Sequence, residues 1–167
     1  MRLLVAFLAA LVNVPLLTAQ DRGILCSAGN LRCEYLVNPI GIDAAAPRLS
    51  WLMKDNRYGA YQKAYRLIVG TDSLNVASGK GDMWDSGKIE SDWMLIAYPG
   101  NNLEPFTKYY WSVQIWDMND IPGAAAISSF ETGLFGQGNW LGSWISDGID
   151  VSQKRAPMFR KEFLSPK

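Results

Sequence analysis

The sequence predicts an all-β protein, an antiparallel two-sheet sandwich, on three observations. From Leu31 onward the chain divides into short runs rich in β-branched and aromatic residues, each bounded by Gly, Pro, Asn or Asp. No stretch of that region carries an apolar period of 3.6 residues, so helices are not expected to build the core. The stretch from Leu103 to Val113 alternates with period two behind a proline bend, which places successive side chains on opposite faces of a strand.

The elements follow in order. Leu31 to Val37 is expected as the first strand, closed by Asn38-Pro39 and Gly41. Arg48 to Lys54 is the second, with Leu49, Trp51 and Met53 alternating against Arg48, Ser50 and Lys54. Tyr61 to Thr71 is the third, with Tyr65, Leu67 and Val69 on one face and Arg66 and Ile68 on the other. Asp72 to Asp82 is polar and glycine-containing, and reads as a loop. Met83 to Gly87 and Trp93 to Tyr98 read as short strands, the first at an edge. Pro105 to Asp117 is the long strand: Tyr109, Trp111, Val113 and Ile115 face one way, and Tyr110, Ser112, Gln114 and Trp116 the other. Ala126 to Thr132 closes the set. Trp51, Tyr65, Tyr109 and Trp111 all fall on faces turned toward the second sheet, about 10 Å away in such a sandwich. The Leu103-x-Pro105-x-Thr107-x-Tyr109 lead-in resembles the corner at which fibronectin type III domains enter their F strand. There a tyrosine packs inward and ties its hydroxyl to upstream backbone.

The two ends of the chain read differently. Residues 1–19 have a basic start, an apolar run from Leu3 to Val12 and a Leu17-Thr18-Ala19 cleavage-like end, the pattern of a secretory signal peptide. A membrane helix is disfavoured by the short run and by Asn13 and Pro15. Leu25 ahead of Cys26 does not suit a lipid anchor. The expectation is export, to the periplasm or beyond, with roughly 148 residues remaining, enough for one ordinary domain and extra material. Residues 20–30 read as an N-terminal arm and 31–133 as the sandwich. Residues 134–167 read as a linker and the truncated start of a second β-domain, with Pro157 to Phe163 its first clear strand. Cys26 and Cys33 admit two readings: a small-loop disulfide, or a buried strand thiol with a free thiol in a mobile arm.

Composition removes several function classes. The chain has 16 basic and 16 acidic residues and no histidine. Balanced charge gives no basic face for nucleic acid. Without histidine there is no Ser-His-Asp or Cys-His nucleophile and no histidine zinc site. No cofactor or metal is expected. Acid–base chemistry would fall to carboxylates, of which Asp82, Asp85, Glu90 and Asp92 cluster in sequence. All four read as solvated turn residues, with Asp85 before Ser86-Gly87 as an Asx-turn former.

An ordered series of segments carries a resemblance. It runs Asn38-Pro39-x-Gly41, Pro47-Arg48-Leu49-Ser50-Trp51, Ala64-Tyr65-Arg66-Leu67-x-Val69, Trp84-Asp85-Ser86-Gly87 and Tyr98-x-Gly100. The 103–109 corner follows, then Phe130-Glu131-Thr132-Gly133, Trp140-x-x-x-Trp144-Ile145 and Pro157-x-Phe159-Arg160-Lys161-x-Phe163. Together these resemble the N-terminal region of bacterial α-L-rhamnosidases of glycoside hydrolase family 78. The resemblance implies a fibronectin-III-like or immunoglobulin-like β-sandwich, then a jelly-roll domain, then an (α/α)6 barrel. In that family the barrel releases terminal α-L-rhamnose with inversion, using two carboxylates. No residue of this chain matches a catalytic position of the family. One departure is Ala124-Ala125-Ala126-Ile127, where the family pattern leads with Trp-Ser into the last strand.

Five tryptophans, Trp84, Trp93, Trp116, Trp140 and Trp144, are not explained by the inward faces. Packing against a following domain is the first expectation for them. Trp84 and Trp93 are the candidates for stacking on a sugar ring. The resulting expectation is a non-catalytic module that packs beside and orients the later domains of a glycoside hydrolase, with rhamnosylated glycans as a candidate ligand. The alternative is a free-standing carbohydrate-binding or adhesion module.

Overall fold

The computed structural model describes residues 26–143 and, beyond them, 145–146, 148, 152, 156, 158–162 and 164. The expected signal peptide, Trp144, Pro157 and Phe163 lie outside the described residues. Eight strands are present in this region: β1 (Ser27–Cys33), β2 (Arg48–Lys54), β3 (Gln62–Gly70), β4 (Trp84–Asp85), β5 (Ile89–Glu90), β6 (Leu95–Ala97), β7 (Lys108–Asp117) and β8 (Ala126–Glu131). One sheet has the order β1-β2-β6. The other has the order β4-β3-β7-β8, with β5 also paired to β3. All of the strand pairs are antiparallel.

The sandwich forms because the alternating apolar faces of both sheets meet. Leu49 and Trp51 from β2 pack with Leu67 and Val69 from β3, with Tyr109, Trp111, Val113 and Ile115 from β7, and with Phe130 from β8. Each of these side chains is at most 2% exposed. Burying a side chain of this size stabilises by roughly 2–3 kcal/mol. Trp51 and Tyr65 meet with ring centroids 5.4 Å apart, and Tyr109 stacks on Phe130 at the same separation. A polar link also crosses between the sheets: Trp51 Nε1 donates to Gln62 Oε1 at 2.8 Å, fully buried.

Several boundaries differ from the sequence reading. The first strand lies at Ser27–Cys33, not at Leu31 to Val37. Glu34 and Tyr35 adopt φ values of 47° and 65°, and Cys33 and Leu36 exchange two backbone hydrogen bonds across them. That is a tight hairpin turn, and it reverses the chain in the middle of an apparently continuous run. Ser27, Ala28 and Gly29, expected in an arm, pair with Lys54, Met53 and Leu52. Within the segment read as a loop, α1 (Ser73–Ala77) forms because Asp72 caps it, accepting from Asn75 N at 2.7 Å, while Val76 is buried. The Ala124 to Ile127 departure leaves the last strand intact, since β8 pairs with β7 from Lys108↔Glu131 to Val113↔Ala126. A 3-10 turn at Gln137–Asn139 follows. Residues 158–162, expected within a strand, carry no strand pairing, and Met158 and Phe159 are exposed.

The cysteines are resolved too. Cys26 and Cys33 are both free and buried. Cys26 precedes β1 and Cys33 ends it, seven positions or roughly 23 Å apart at the rise of a strand, whereas a disulfide needs Cα atoms within about 7 Å. Cys33 faces the core opposite Leu49. Cys26 is not in a mobile arm but packs against Gly123 and Ile121.

Candidate functional site

The carboxylates singled out in the sequence are positioned as turn and strand-edge groups. Asp85 receives a fork from Arg66, with Nη2 at 2.6 Å and Nε at 2.9 Å, and Gly87 N–H at 2.9 Å closes the expected Asx turn. Asp82 accepts from the Thr71 hydroxyl at 2.5 Å and from the Thr71 amide at 2.8 Å. These donors hold both carboxyls below the usual aspartate range, the Arg66 guanidinium leading at Asp85 and the Thr71 hydroxyl at Asp82. Glu90 sits on β5 opposite Ala64. Asp92 lies at the rim of a shallow groove of about 510 Å³ that also touches Asp55, Arg57 and Tyr61.

One charge cluster was not anticipated from the sequence. Arg57 bridges Asp55 at 2.5 Å and the fully buried Asp117 at 2.6 Å. Burial pushes the Asp117 carboxyl upward, but the amides of Ile121 and Asn119 and the Arg57 guanidinium outweigh it, and the net displacement is downward. Asp117 thus caps the turn between β7 and β8. Its only sequence signal is the Asp117-Met118-Asn119-Asp120 turn composition after a long strand. Among the described residues the carboxyls displaced from their ordinary pKa are Glu34, Asp55, Asp82, Asp85, Asp117 and Asp120, and every displacement is downward. A glycosidic general acid requires the opposite displacement. The donors on Asp82, Asp85 and Asp117 are the groups that hold these turns and strand ends in place.

The tryptophans separate into distinct environments. Trp84 is half-buried and meets Tyr98 edge-on, with centroids 5.9 Å apart. Its ring is largely committed to packing. Trp93 is 69% exposed, and its carbonyl is held by Gln62 Nε2 at 3.1 Å. Trp84 pairs opposite Val69, at the far end of β3 from Gln62. The two tryptophans thus meet opposite ends of β3 and do not make one platform. Trp116 lies under the Lys88 ammonium, 5.0 Å from its ring centroid, and Trp140 is 54% exposed.

The expected corner is present. Tyr109 is 1% exposed, and its hydroxyl accepts from Glu104 N at 2.8 Å, tying the start of β7 to the backbone before it. Residues 28–136 match the family described as Rha78A-like, N-terminal immunoglobulin domain. The chain belongs to this family. An α-L-rhamnosidase of Streptomyces avermitilis is 44% identical over 117 residues, which cover 68% of this chain and 11% of that enzyme. The solved α-L-rhamnosidase from Dictyoglumus thermophilum superposes with a TM-score of 0.69 at 36% identity, over 72% of this chain and 14% of the other. The Streptomyces avermitilis enzyme, solved in complex with L-rhamnose, gives 0.68 at 40% identity, over 72% and 12%. The chain therefore spans about a ninth of the curated relative's length. The Rha78A-like immunoglobulin domain is in those proteins a small N-terminal part of a much longer chain.

Proposed function

We propose that this chain is the leading, non-catalytic module of an exported α-L-rhamnosidase, and that it packs against and orients the domains that follow it. The observation that carries the reading is its 44% identity to one short part of an α-L-rhamnosidase of which it spans 11%. The downward displacement of its carboxyls supports a role outside the chemistry. The chain is expected to give no turnover of an aryl α-L-rhamnoside, whereas a full-length rhamnosidase carrying this module turns it over. Measurable hydrolysis by the purified chain would overturn the reading. Export is tested by expression with residues 1–19 intact and N-terminal sequencing of the secreted product, expected to begin near Gln20.

A carbohydrate-binding or adhesion role is the second reading, favoured by the 69% exposure of Trp93. It requires Trp fluorescence to change on titration with L-rhamnose or a rhamnoside. A flat signal at millimolar ligand removes it.

A further inference from the structure

The stretch from Gly133 to Gly138 has the composition of a flexible connector. Its first half is nevertheless gripped from two sides. On one side runs the segment Pro39 to Asp43, parallel to the exit: Glu131 N donates to Pro39 O at 2.9 Å, Ile42 N to Glu131 O at 2.9 Å, and Gly133 N to Ile42 O at 2.8 Å. On the other side is the tyrosine corner. The Thr132 hydroxyl, in a residue 2% exposed, donates to Glu104 O at 2.6 Å and accepts from Thr107 N at 2.9 Å, and Phe106 N donates to Gly133 O at 3.1 Å.

Two further features carry the grip past the last strand. The Asp43 carboxylate accepts from Phe135 N at 3.0 Å, and the Phe135 ring packs on the core. A Cβ added at Gly133 would lie 2.5 Å from Asp43 Oδ1, so the absence of a side chain there lets the carboxylate close over the exit. Beside this contact lies an open groove of about 640 Å³ bounded by Asp43, Leu103, Pro105 and Phe135.

The geometry points to a rigid joint: Asp43 is a positioning residue that clasps Phe135, so that the polypeptide leaves the sandwich in one set direction, not through a free hinge. The consequence for the relative placement of later domains rests on the reading of the chain as a leading module. The clasp itself is a property of this chain and is tested without that reading.

The experiment is backbone 15N relaxation and amide hydrogen exchange on the full chain and three variants. In the wild type the order parameter is expected to stay near about 0.85 through Phe135 and to fall only beyond it. Asp43→Ala should bring Phe135 below about 0.6 and speed exchange of its amide at least tenfold, with core amides of β7 unchanged. Asp43 is exposed, so its loss leaves the core intact. Asp43→Asn keeps an acceptor oxygen and should restore the wild-type values. Gly133→Ala keeps the carboxylate but displaces it, and should reproduce the Asp43→Ala result. A Phe135 amide already mobile in the wild type, or equally protected in Asp43→Ala, would overturn the proposal. Neither result bears on rhamnoside hydrolysis, which tests the other reading alone.

Discussion

At the scale of single residues, Tyr109 shows how one hydroxyl sets a boundary. Its ring contributes burial and stacking on Phe130, while its oxygen satisfies the Glu104 amide where the chain bends into β7. Tyr109→Phe keeps the ring and strips the acceptor, leaving a part-buried N–H unpaired. The expected cost is about 1–2 kcal/mol, read as a lower denaturant midpoint with an unchanged m-value. Asp117 makes the corresponding point for charge. Asp82, Asp85 and Asp117 are held below their ordinary pKa, near 3.9 for free aspartate, so each favours the fold while ionised. That stability is fully present above the unfolded value and drains away as pH falls through the lower folded values. Thermal unfolding should be flat from about pH 7 to 5 and should fall steeply below about 4. Asp117→Asn should lower the midpoint at neutral pH and flatten that acid limb; an unaltered limb would remove Asp117 as a contributor. The thiols are inert by the same logic. Burial raises both, Cys33 to about 12, so a thiol reagent should modify neither until the chain unfolds, and a reductant should leave the midpoint where it is.

At the scale of elements, the two sheets are joined by more than apolar area. Gln62 opens β3, accepts from Trp51 on β2, and gives its amide hydrogens to Ser91 O and Trp93 O, so one side chain ties together both sheets and the turn before β6. Gln62→Leu fits the volume but orphans an indole N–H and two carbonyls. The expected loss is about 2–4 kcal/mol, measured by denaturant unfolding, and a loss within error would make the network incidental. The sequence concealed this residue because a register shift between Gln62 and Ala64 takes it out of the alternation that exposes Tyr65, Leu67 and Val69 as core. The long strands were legible where alternation runs unbroken, as in β2 and β7, and the corner was legible because its spacing is tied to one geometry. The first strand was not, since Cys33, Tyr35 and Val37 alternate as if extended while Glu34 and Tyr35 in fact turn the chain back. Asp82 and Asp85, which the sequence places in turns, are held by Thr71 and Arg66 from 11 and 19 residues away, while Asp43 and Asp117 matter through partners 92 and 60 residues away, which no local pattern reveals.

At the scale of the whole molecule, the question is where the cooperative unit ends. Every strand pair closes by Glu131, yet the bonds of Thr132 and Gly133 and the packing of Phe135 still belong to the core's hydrogen-bond accounting. Beyond the turn at Gln137–Asn139 the exposed apolar side chains are of a different kind: Leu141 is 99% exposed, Met158 94% and Leu164 97%. Side chains so exposed return almost none of the hydrophobic free energy that holds a fold, and they offer sticky surface to other copies. A chain ended after Asn139 should therefore unfold at the same midpoint as the full one and associate less at high concentration, as read by calorimetry and light scattering. A chain ended after Glu131 removes the hydroxyl that satisfies Glu104 and Thr107 together with the Phe135 ring. It also loses the Gly133 bonds to Ile42 and Phe106 and the Phe135 bond to Asp43, so with a half-buried aromatic ring the expected cost is at least about 3 kcal/mol, several degrees for a domain of this size. Equal midpoints for those two truncations would place the end of the unit at β8 and make the exit segment a passenger; separated midpoints make it part of the fold.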